Sequence, residues 1–100
     1  MKIEHLVNDR GNNAVNQFVI TTEKGIYFQS YESMICKYLN GILFVTPLWD
    51  YSNTTRKHFY IFLRRYTHFG RLTKQDVLNY LNNTNEMIKV EESALELVTI

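Results

Sequence analysis

The chain has 100 residues, a formal net charge of +1, 45% hydrophobic residues and a single cysteine. This length and composition predict one domain, residues 1–100, with a packed core, and one cysteine excludes an internal disulfide. No apolar run is long enough to span a membrane and the N-terminus lacks the apolar stretch of a signal peptide, so we expect a cytoplasmic protein without a membrane partner.

A first hairpin is predicted near the N-terminus. β-branched and aromatic residues fill segments 17–22 and 26–29, which is typical of strands. The polar turn Glu23-Lys24-Gly25 separates the two segments. We therefore expect two antiparallel strands joined by this turn.

A second hairpin follows, with strands at 33–39 and 42–46 joined by Asn40-Gly41. Asn-Gly is the favoured dipeptide of a two-residue hairpin turn, so the residues on either side of it should pair directly. In that register Ile35 and Cys36 point to opposite faces, and both faces of the hairpin are largely apolar. An apolar face has to be covered, either by the C-terminal segment or by another chain, and we expect a homodimer.

Two helices are predicted in the second half of the chain. Apolar residues recur at three- and four-residue steps over 53–68, which indicates a helix packed on one side. Ser52 is a suitable N-cap and Gly70 a suitable C-terminal stop. Thr73 begins the second helix, with Asp76 completing a shortened capping box.

Together these elements predict an α+β fold. It comprises an antiparallel sheet of three to five strands in two hairpins, one long helix packed on the sheet, and a second short helix. Residues 86–100 fit a short amphipathic helix about as well as a final strand. Strand order does not follow from the sequence.

Basic residues are concentrated in segment 51–75, which holds six of the eleven Lys and Arg and no Asp or Glu. The stretches on both sides of it are acidic, so the segment predicts an anionic partner. A helical projection places its cations opposite the core stripe, with an aromatic ring among them. The predicted partner-binding residues are Lys57, Tyr60, Ile61, Arg64, Arg65, His68 and Arg71. Such a surface suits a protein or protein–nucleic acid complex, and also nucleic acid itself.

A two-part pattern precedes and enters the first helix. It reads S-Y-x-S-x-I at 30–35 and W-D-Y-S-x-T-T-x-K-H at 49–58, followed by Phe62-Leu63. This pattern resembles that of a family of small, largely uncharacterised proteins encoded by bacteriophages and prophages, over about residues 28–66. The resemblance implies a phage origin, a location in the host cytoplasm and a common fold, but no activity. Small phage proteins of this type often antagonise host machinery, including CRISPR effectors.

The second part of the pattern also contains residue types used in catalysis. Asp50, Ser52 and His58 are the types of a hydrolytic triad, and Tyr51, Lys57 and His58 those of a metal-free nuclease. However, Ser52 should be occupied as a cap, His58 lies nearly two turns further on, and no Gly-rich loop accompanies them. We expect mainly structural roles for Trp49, Asp50, Tyr51, Ser52, Thr54, Thr55 and His58.

No cofactor and no metal site are expected. The three histidines, at positions 5, 58 and 68, and the single cysteine show no metal-ligand spacing. The leading hypothesis is a non-enzymatic phage-type accessory protein that binds a host macromolecule, as an inhibitor of a defence complex or of a nucleic-acid-processing complex. The alternatives are a direct nucleic-acid-binding protein and, third, a small hydrolase or nuclease.

Overall fold

The computed structural model describes residues 1–82 and 88–90. Within that part of the chain, six strands form one sheet in sequence order, with β1 to β5 antiparallel neighbours and β6 parallel to β5. The strands are β1 Lys2–Val7, β2 Asn13–Thr22, β3 Gly25–Ser30, β4 Ser33–Leu39, β5 Ile42–Val45 and β6 Ile88–Val90. The helices are α1 Asn53–Tyr66 and α2 Lys74–Asn82, and a short 3-10 helix, Pro47–Asp50, precedes α1.

The predicted α+β class is confirmed, and five antiparallel strands lie within the predicted range. Strand β1 was not predicted, because polar residues interrupt the apolar positions of its sequence, KIEHLV, and it forms by pairing with β2. The C-terminal tail contributes three residues as strand β6, and the rest of the prediction for 86–100 lies outside the described residues. None of the described helices is both long and apolar enough to cross a membrane.

The Asn40-Gly41 turn has the predicted geometry. Both residues have positive φ, 52° and 79°, as a type I′ hairpin turn requires. Leu39 pairs with Ile42 directly across the turn, as predicted. Local turn chemistry therefore sets the register of the β4–β5 hairpin.

A β-bulge in β4 changes which side chains enter the core. Phe28 pairs with Cys36 and the next residue of β3 pairs with Met34, which leaves Ile35 as the extra residue. Ile35 and Cys36 are consequently both buried in the core, so the prediction that they face opposite sides was wrong. The backbone N–H of Thr46 donates to the Ile35 carbonyl at 2.9 Å, and the Thr46 Oγ1 donates to the same oxygen at 3.0 Å.

Burial also raises the pKa of the Cys36 thiol, which disfavours the reactive thiolate.

One face of the sheet carries the core. Val19, Phe28, Cys36 and Val45 are successive partners across four strands, and all four are buried. Helix α1 packs on this row, with the rings of Phe28 and Phe62 stacked at a centroid distance of 5.7 Å. This packing fixes α1 relative to the β3–β4 hairpin.

The opposite face of the sheet carries a second row of partners, Ile20, Tyr27, Lys37 and Phe44. Lys37 is 0% exposed, and its Nζ lies 5.6 Å from the Tyr27 ring centroid and 5.5 Å from that of Phe44. Two aromatic faces can stabilise a desolvated ammonium group by cation–π attraction. The expectation that a second copy of the chain covers this face stays a prediction.

Both helices begin with the predicted caps. The Ser52 Oγ accepts a hydrogen bond from the backbone N–H of Thr55 at 3.1 Å. At α2, the backbone N–H of Asp76 donates to the Thr73 hydroxyl at 3.2 Å, and the Asp76 carboxylate accepts from the Thr73 N–H at 3.0 Å. This reciprocal pair is the shortened capping box expected from the sequence.

The end of α1 differs from the prediction. The helix stops at Tyr66 rather than at residue 68, because Thr67 adopts an extended conformation and its Oγ1 donates to the Leu63 carbonyl at 2.8 Å. The Leu63 carbonyl thus accepts from both the hydroxyl and the backbone N–H of Thr67, the latter at 3.2 Å. Gly70, predicted as the stop, lies in the turn that follows and does not end the helix.

Candidate functional site

Most of the predicted partner-binding residues are exposed on α1 or in the segment that follows it. Five of them have exposed side chains: Lys57, Arg64, Arg65, His68 and Arg71. Ile61 is only 1% exposed, so its placement on this surface was wrong. It belongs to the same buried cluster as Val77 of α2, which a projection of α1 alone does not include.

Tyr60 is also less accessible than predicted. Its ring packs against the core, and its hydroxyl is buried without a hydrogen-bond partner among the described residues. Burial, more than the neighbouring charges, raises the pKa of Tyr60. The Tyr60 ring is therefore not freely available for stacking on a partner.

Arg64 and Arg65 are attached to the β1–β2 turn. The Nη2 atom of Arg64 lies 2.9 Å from Oδ1 and 3.0 Å from Oδ2 of Asp9, and Arg65 donates to the Asn8 carbonyl at 3.1 Å. These partners lie more than 50 residues away in the sequence. A carboxylate from outside the acid-free segment therefore partly neutralises this surface.

Asp50 pairs with two further cations of the same segment. Its carboxylate accepts a hydrogen bond from Arg56 of α1 and lies 3.6 Å from Nζ of Lys74 of α2. The Arg56 hydrogen bond is the main reason that the pKa of Asp50 is lowered, and Lys74 contributes to the shift. Lys57, Arg65 and Arg71 are the three cations of the segment for which the described residues provide no ion pair, and Arg65 donates only to a backbone carbonyl.

Neither histidine near this surface is arranged as a base. The Nδ1 of His68 lies 2.6 Å from the Tyr38 hydroxyl, which ties the end of the α1 region to β4. The Nδ1–H of His58 donates to the Thr54 carbonyl at 2.9 Å. Burial is the main cause of the lowered pKa of His58, so the neutral ring is favoured.

The candidate triad residues are not joined to one another. Asp50 is engaged by Arg56, and the Ser52 hydroxyl is engaged by Thr55. His58 is bonded to the helix backbone, and no hydrogen bond within residues 1–82 links two members of the triad. Nor do the described residues include a group of three or more His, Cys, Asp or Glu that could hold a metal ion.

The structure brings the two parts of the sequence pattern together around one cavity of about 510 Å³. Seven of the nine lining residues carry a hydroxyl group, and eight of the nine are positions of the pattern. The β3–β4 side contributes Ser30, Tyr31, Ser33 and Ile35, and the corner leading into α1 contributes Leu48, Tyr51, Ser52, Thr54 and Thr55. The residues at 30–35 were not predicted as site residues, although their two serines and tyrosine were a usable signal.

A strained turn positions the β3–β4 side of this cavity. Tyr31 has a φ of 53°, a left-handed conformation that is unfavourable for a bulky residue. Its N–H donates to the Asn16 carbonyl and its own carbonyl accepts from Nε2 of Gln29, both at 2.7 Å. These hydrogen bonds hold the backbone in place and leave the ring 59% exposed at the cavity.

Comparison with known proteins gives a family but no function. A family model described as a family of unknown function, DUF8033, matches residues 1–79. No curated protein matches the chain significantly. No solved structure does so either.

Proposed function

The chain belongs to the DUF8033 family of unknown function, and from that premise we propose that it is a non-enzymatic accessory protein that binds a host macromolecule. The observation that carries the proposal is the exposed basic surface at the end of α1, formed by Arg64, Arg65, His68 and Arg71. Lys57 extends this surface towards the start of the helix. The resemblance to small phage proteins supports the finer proposal of an inhibitor of a defence complex, such as a CRISPR effector, or of a nucleic-acid-processing complex.

The two central arginines are pre-ordered for binding. Their contacts with Asp9 and the Asn8 carbonyl restrict side chains that would otherwise sample many rotamers. Less conformational entropy is then lost when a partner binds. Because an exposed ion pair stabilises a protein by only about 0.2–1 kcal/mol, a partner carboxylate or phosphate can share or replace Asp9. Arginine is also enriched among the residues that dominate binding energy.

The pairing of charges favours a protein or protein–nucleic acid complex over bare nucleic acid. Asp50 and Asp9 already engage three of the six cations in segment 51–75, and Arg65 donates to a backbone carbonyl. Affinity for duplex DNA changes with salt by a log–log slope of about −0.9 per phosphate neutralised. If only Lys57 and Arg71 contact phosphates, the slope is about −2, which is shallow for a DNA-binding protein.

A non-enzymatic role is supported by the engagement of the candidate catalytic side chains. A nucleophile needs a base within hydrogen-bond reach, and the base needs an orienting group. Ser52 and His58 instead bond to α1 itself. His58→Ala should therefore leave the biological effect intact, whereas loss of that effect with an unchanged fold would favour the hydrolase alternative.

The test compares two double variants that change the net charge of the protein by the same amount. Arg64→Glu with Arg65→Glu alters the proposed surface, and Lys2→Glu with Lys24→Glu changes two exposed lysines on other elements by the same total charge. Each protein is used to capture partners from a bacterial lysate, followed by quantification of each captured protein. We expect the α1 variant to lose a partner that the wild type and the control variant retain.

Stability has to be checked in parallel, because Arg64→Glu places a carboxylate beside Asp9. Losing that exposed pair and adding repulsion should cost about 1 kcal/mol, or roughly 4–8 °C in melting temperature for a chain of this size. A partner retained by the folded α1 variant contradicts the proposed surface. Equal loss in both variants would mean that net charge, not a defined surface, causes the capture.

A further inference from the structure

We propose that the cavity between the β3–β4 turn and the start of α1 binds a phosphorylated nucleoside. The phosphate lies at the N-terminus of α1, and the base lies against the rings of Tyr31 and Tyr51. The lining of this site does not include Arg64, Arg65, His68 or Arg71 of the basic surface. The proposal therefore goes beyond the function proposed above and can fail independently of it.

The hydroxyl group of Ser30 offers a polar contact inside the cavity. Ser30 is 5% exposed and lines the cavity, yet its Oγ makes no hydrogen bond within the described part of the chain. The Oγ atom does not belong to the fully buried side-chain atoms that lack a partner, so it is accessible from the cavity. A polar ligand in the cavity would supply the partner that the protein does not.

The start of α1 supplies the elements of an anion site. Three cavity-lining residues, Ser52, Thr54 and Thr55, form the cap and first turn of α1. The Ser52 hydroxyl occupies the N–H of Thr55, whereas the N–H groups of Asn53 and Thr54 have no hydrogen bond within residues 1–82. Free N–H groups at a helix N-terminus, together with the helix dipole, favour a bound anion.

The surrounding charges also favour an anion at this position. No acidic residue lies in the first turn of α1, and none of the described residues that line the cavity is charged. The nearest acids in sequence are Asp50, which is engaged by Arg56 and Lys74, and Glu32, which is exposed and does not line the cavity. Lys57 is exposed one turn beyond Thr54 on the same side of α1, so it adds positive potential.

Two exposed tyrosines provide surfaces for a planar ring. Tyr31 is 59% exposed and Tyr51 79% exposed, and they line the cavity from its two different sides. A tyrosine ring can stack on any nucleobase, because every base has a π-face. The strained, doubly hydrogen-bonded backbone of Tyr31 fits this role, since strain of this kind is concentrated at binding sites.

A nucleotide uses all of these features at once. Inorganic phosphate would leave both rings unused, and an unphosphorylated sugar or nucleoside would leave the helix N–H groups unused. The volume of about 510 Å³ lies within the usual range of small-ligand sites, about 300–1,000 Å³. The same chemistry is present in a free nucleoside monophosphate and at the 5′-phosphorylated end of a strand.

The experiment uses the full chain and NMR titration of its backbone amides. The probes are the four common ribonucleoside monophosphates, the matching nucleosides, inorganic phosphate, and a short oligonucleotide with and without a 5′-phosphate. We expect saturable binding of at least one monophosphate with a dissociation constant below about 1 mM, and at least about tenfold weaker binding of its nucleoside and of phosphate. A 5′-phosphorylated oligonucleotide that binds more tightly than the monophosphate identifies a strand end as the source.

Two variants locate the site. Tyr51→Ala should weaken binding at least about fivefold while Tyr80→Ala, a matched change on α2, should not. Ser30→Ala should also weaken binding about fivefold without lowering the melting temperature, because it removes a hydroxyl that makes no hydrogen bond to the described residues. A purely structural role of Ser30 would instead reduce stability and leave affinity unchanged.

Three results would overturn the proposal. They are no saturation at about 5 mM by any monophosphate, equal affinity for nucleoside and monophosphate, and equal effects of Tyr51→Ala and Tyr80→Ala. The Arg64→Glu, Arg65→Glu protein should bind the nucleotide as the wild type does. Retained nucleotide binding with lost partner capture, or the reverse, would therefore show which of the two proposals fails.

Discussion

Replacement of Gly25 by alanine tests how the β2–β3 hairpin is packed against β4. Gly25 begins β3 with a φ of 132°, a region that residues with a Cβ rarely adopt. An added Cβ would lie 2.8 Å from the backbone oxygen of Tyr38 and 3.2 Å from Cε of Lys37. The Tyr38 carbonyl is fixed by its strand and cannot move aside easily. The substitution therefore adds backbone strain and a steric clash.

The expected cost follows from these two contributions. The unfavourable backbone conformation alone should cost about 1–3 kcal/mol. Relief of the clash requires β3 and β4 to separate locally, which we expect to add about 1–2 kcal/mol, as for overpacked sites. The sum, about 3 kcal/mol, corresponds to a fall of roughly 12–24 °C in melting temperature for a domain of this size.

Gly11→Ala is the matched control. Gly11 also has a positive φ, 82°, but no atom of residues 1–82 or 88–90 lies within 4 Å of the position that its Cβ would occupy. This change should cost only the conformational part, about 1–2 kcal/mol. Urea unfolding of both variants, followed by circular dichroism, measures the difference directly. Equal losses of stability would refute the role of the close approach to Tyr38.

Two further predictions concern Asp50 and the oligomeric state. Because the pKa of Asp50 is lowered in the folded state, its ion pairs stabilise the protein above the unfolded pKa of about 3.9, and this contribution is lost as the pH falls through the folded pKa. Asp50→Asn should lower the free energy of unfolding by about 1 kcal/mol at pH 7. Measured by urea unfolding, the difference in stability between this variant and the wild type should shrink below about pH 4. A stability difference that does not depend on pH would contradict the role of the ion pairs. For the predicted homodimer, light scattering should give twice the chain mass of 11.9 kDa. A particle of 11.9 kDa at all concentrations would rule the homodimer out.

Features set by local chemistry were predictable from the sequence. The Asn40-Gly41 turn and the Thr73–Asp76 capping box depend on residues within four positions of one another, and both have the predicted geometry. The bulge at Ile35 is different, because hydrogen bonds from Thr46, eleven residues away, hold it in place. Hydrophobic alternation in β4 contains no signal for it.

Prediction of the site was limited for the same reason, because residues distant in the sequence pair with its side chains or help to bury them. A helical projection finds the face of α1 that carries Arg64, but it cannot show that Asp9, 55 residues away, pairs with this residue. Nor can it show that Ile61 belongs to the buried cluster that also contains Val77 of α2. Both parts of the cavity pattern were visible in the sequence, yet their contact depends on how α1 packs on the sheet.

Ile35 has a further consequence for how the cavity could diversify. This residue is the extra position of the bulge, a member of the buried core and part of the cavity wall. A substitution that reshapes this wall therefore also disturbs folding, whereas the exposed rim residues Tyr31, Tyr51 and Thr54 can vary at little cost to stability. Natural variants and designed libraries should therefore change the ligand preference of the cavity by substitutions at the rim residues. The wall at Ile35 should remain nearly constant.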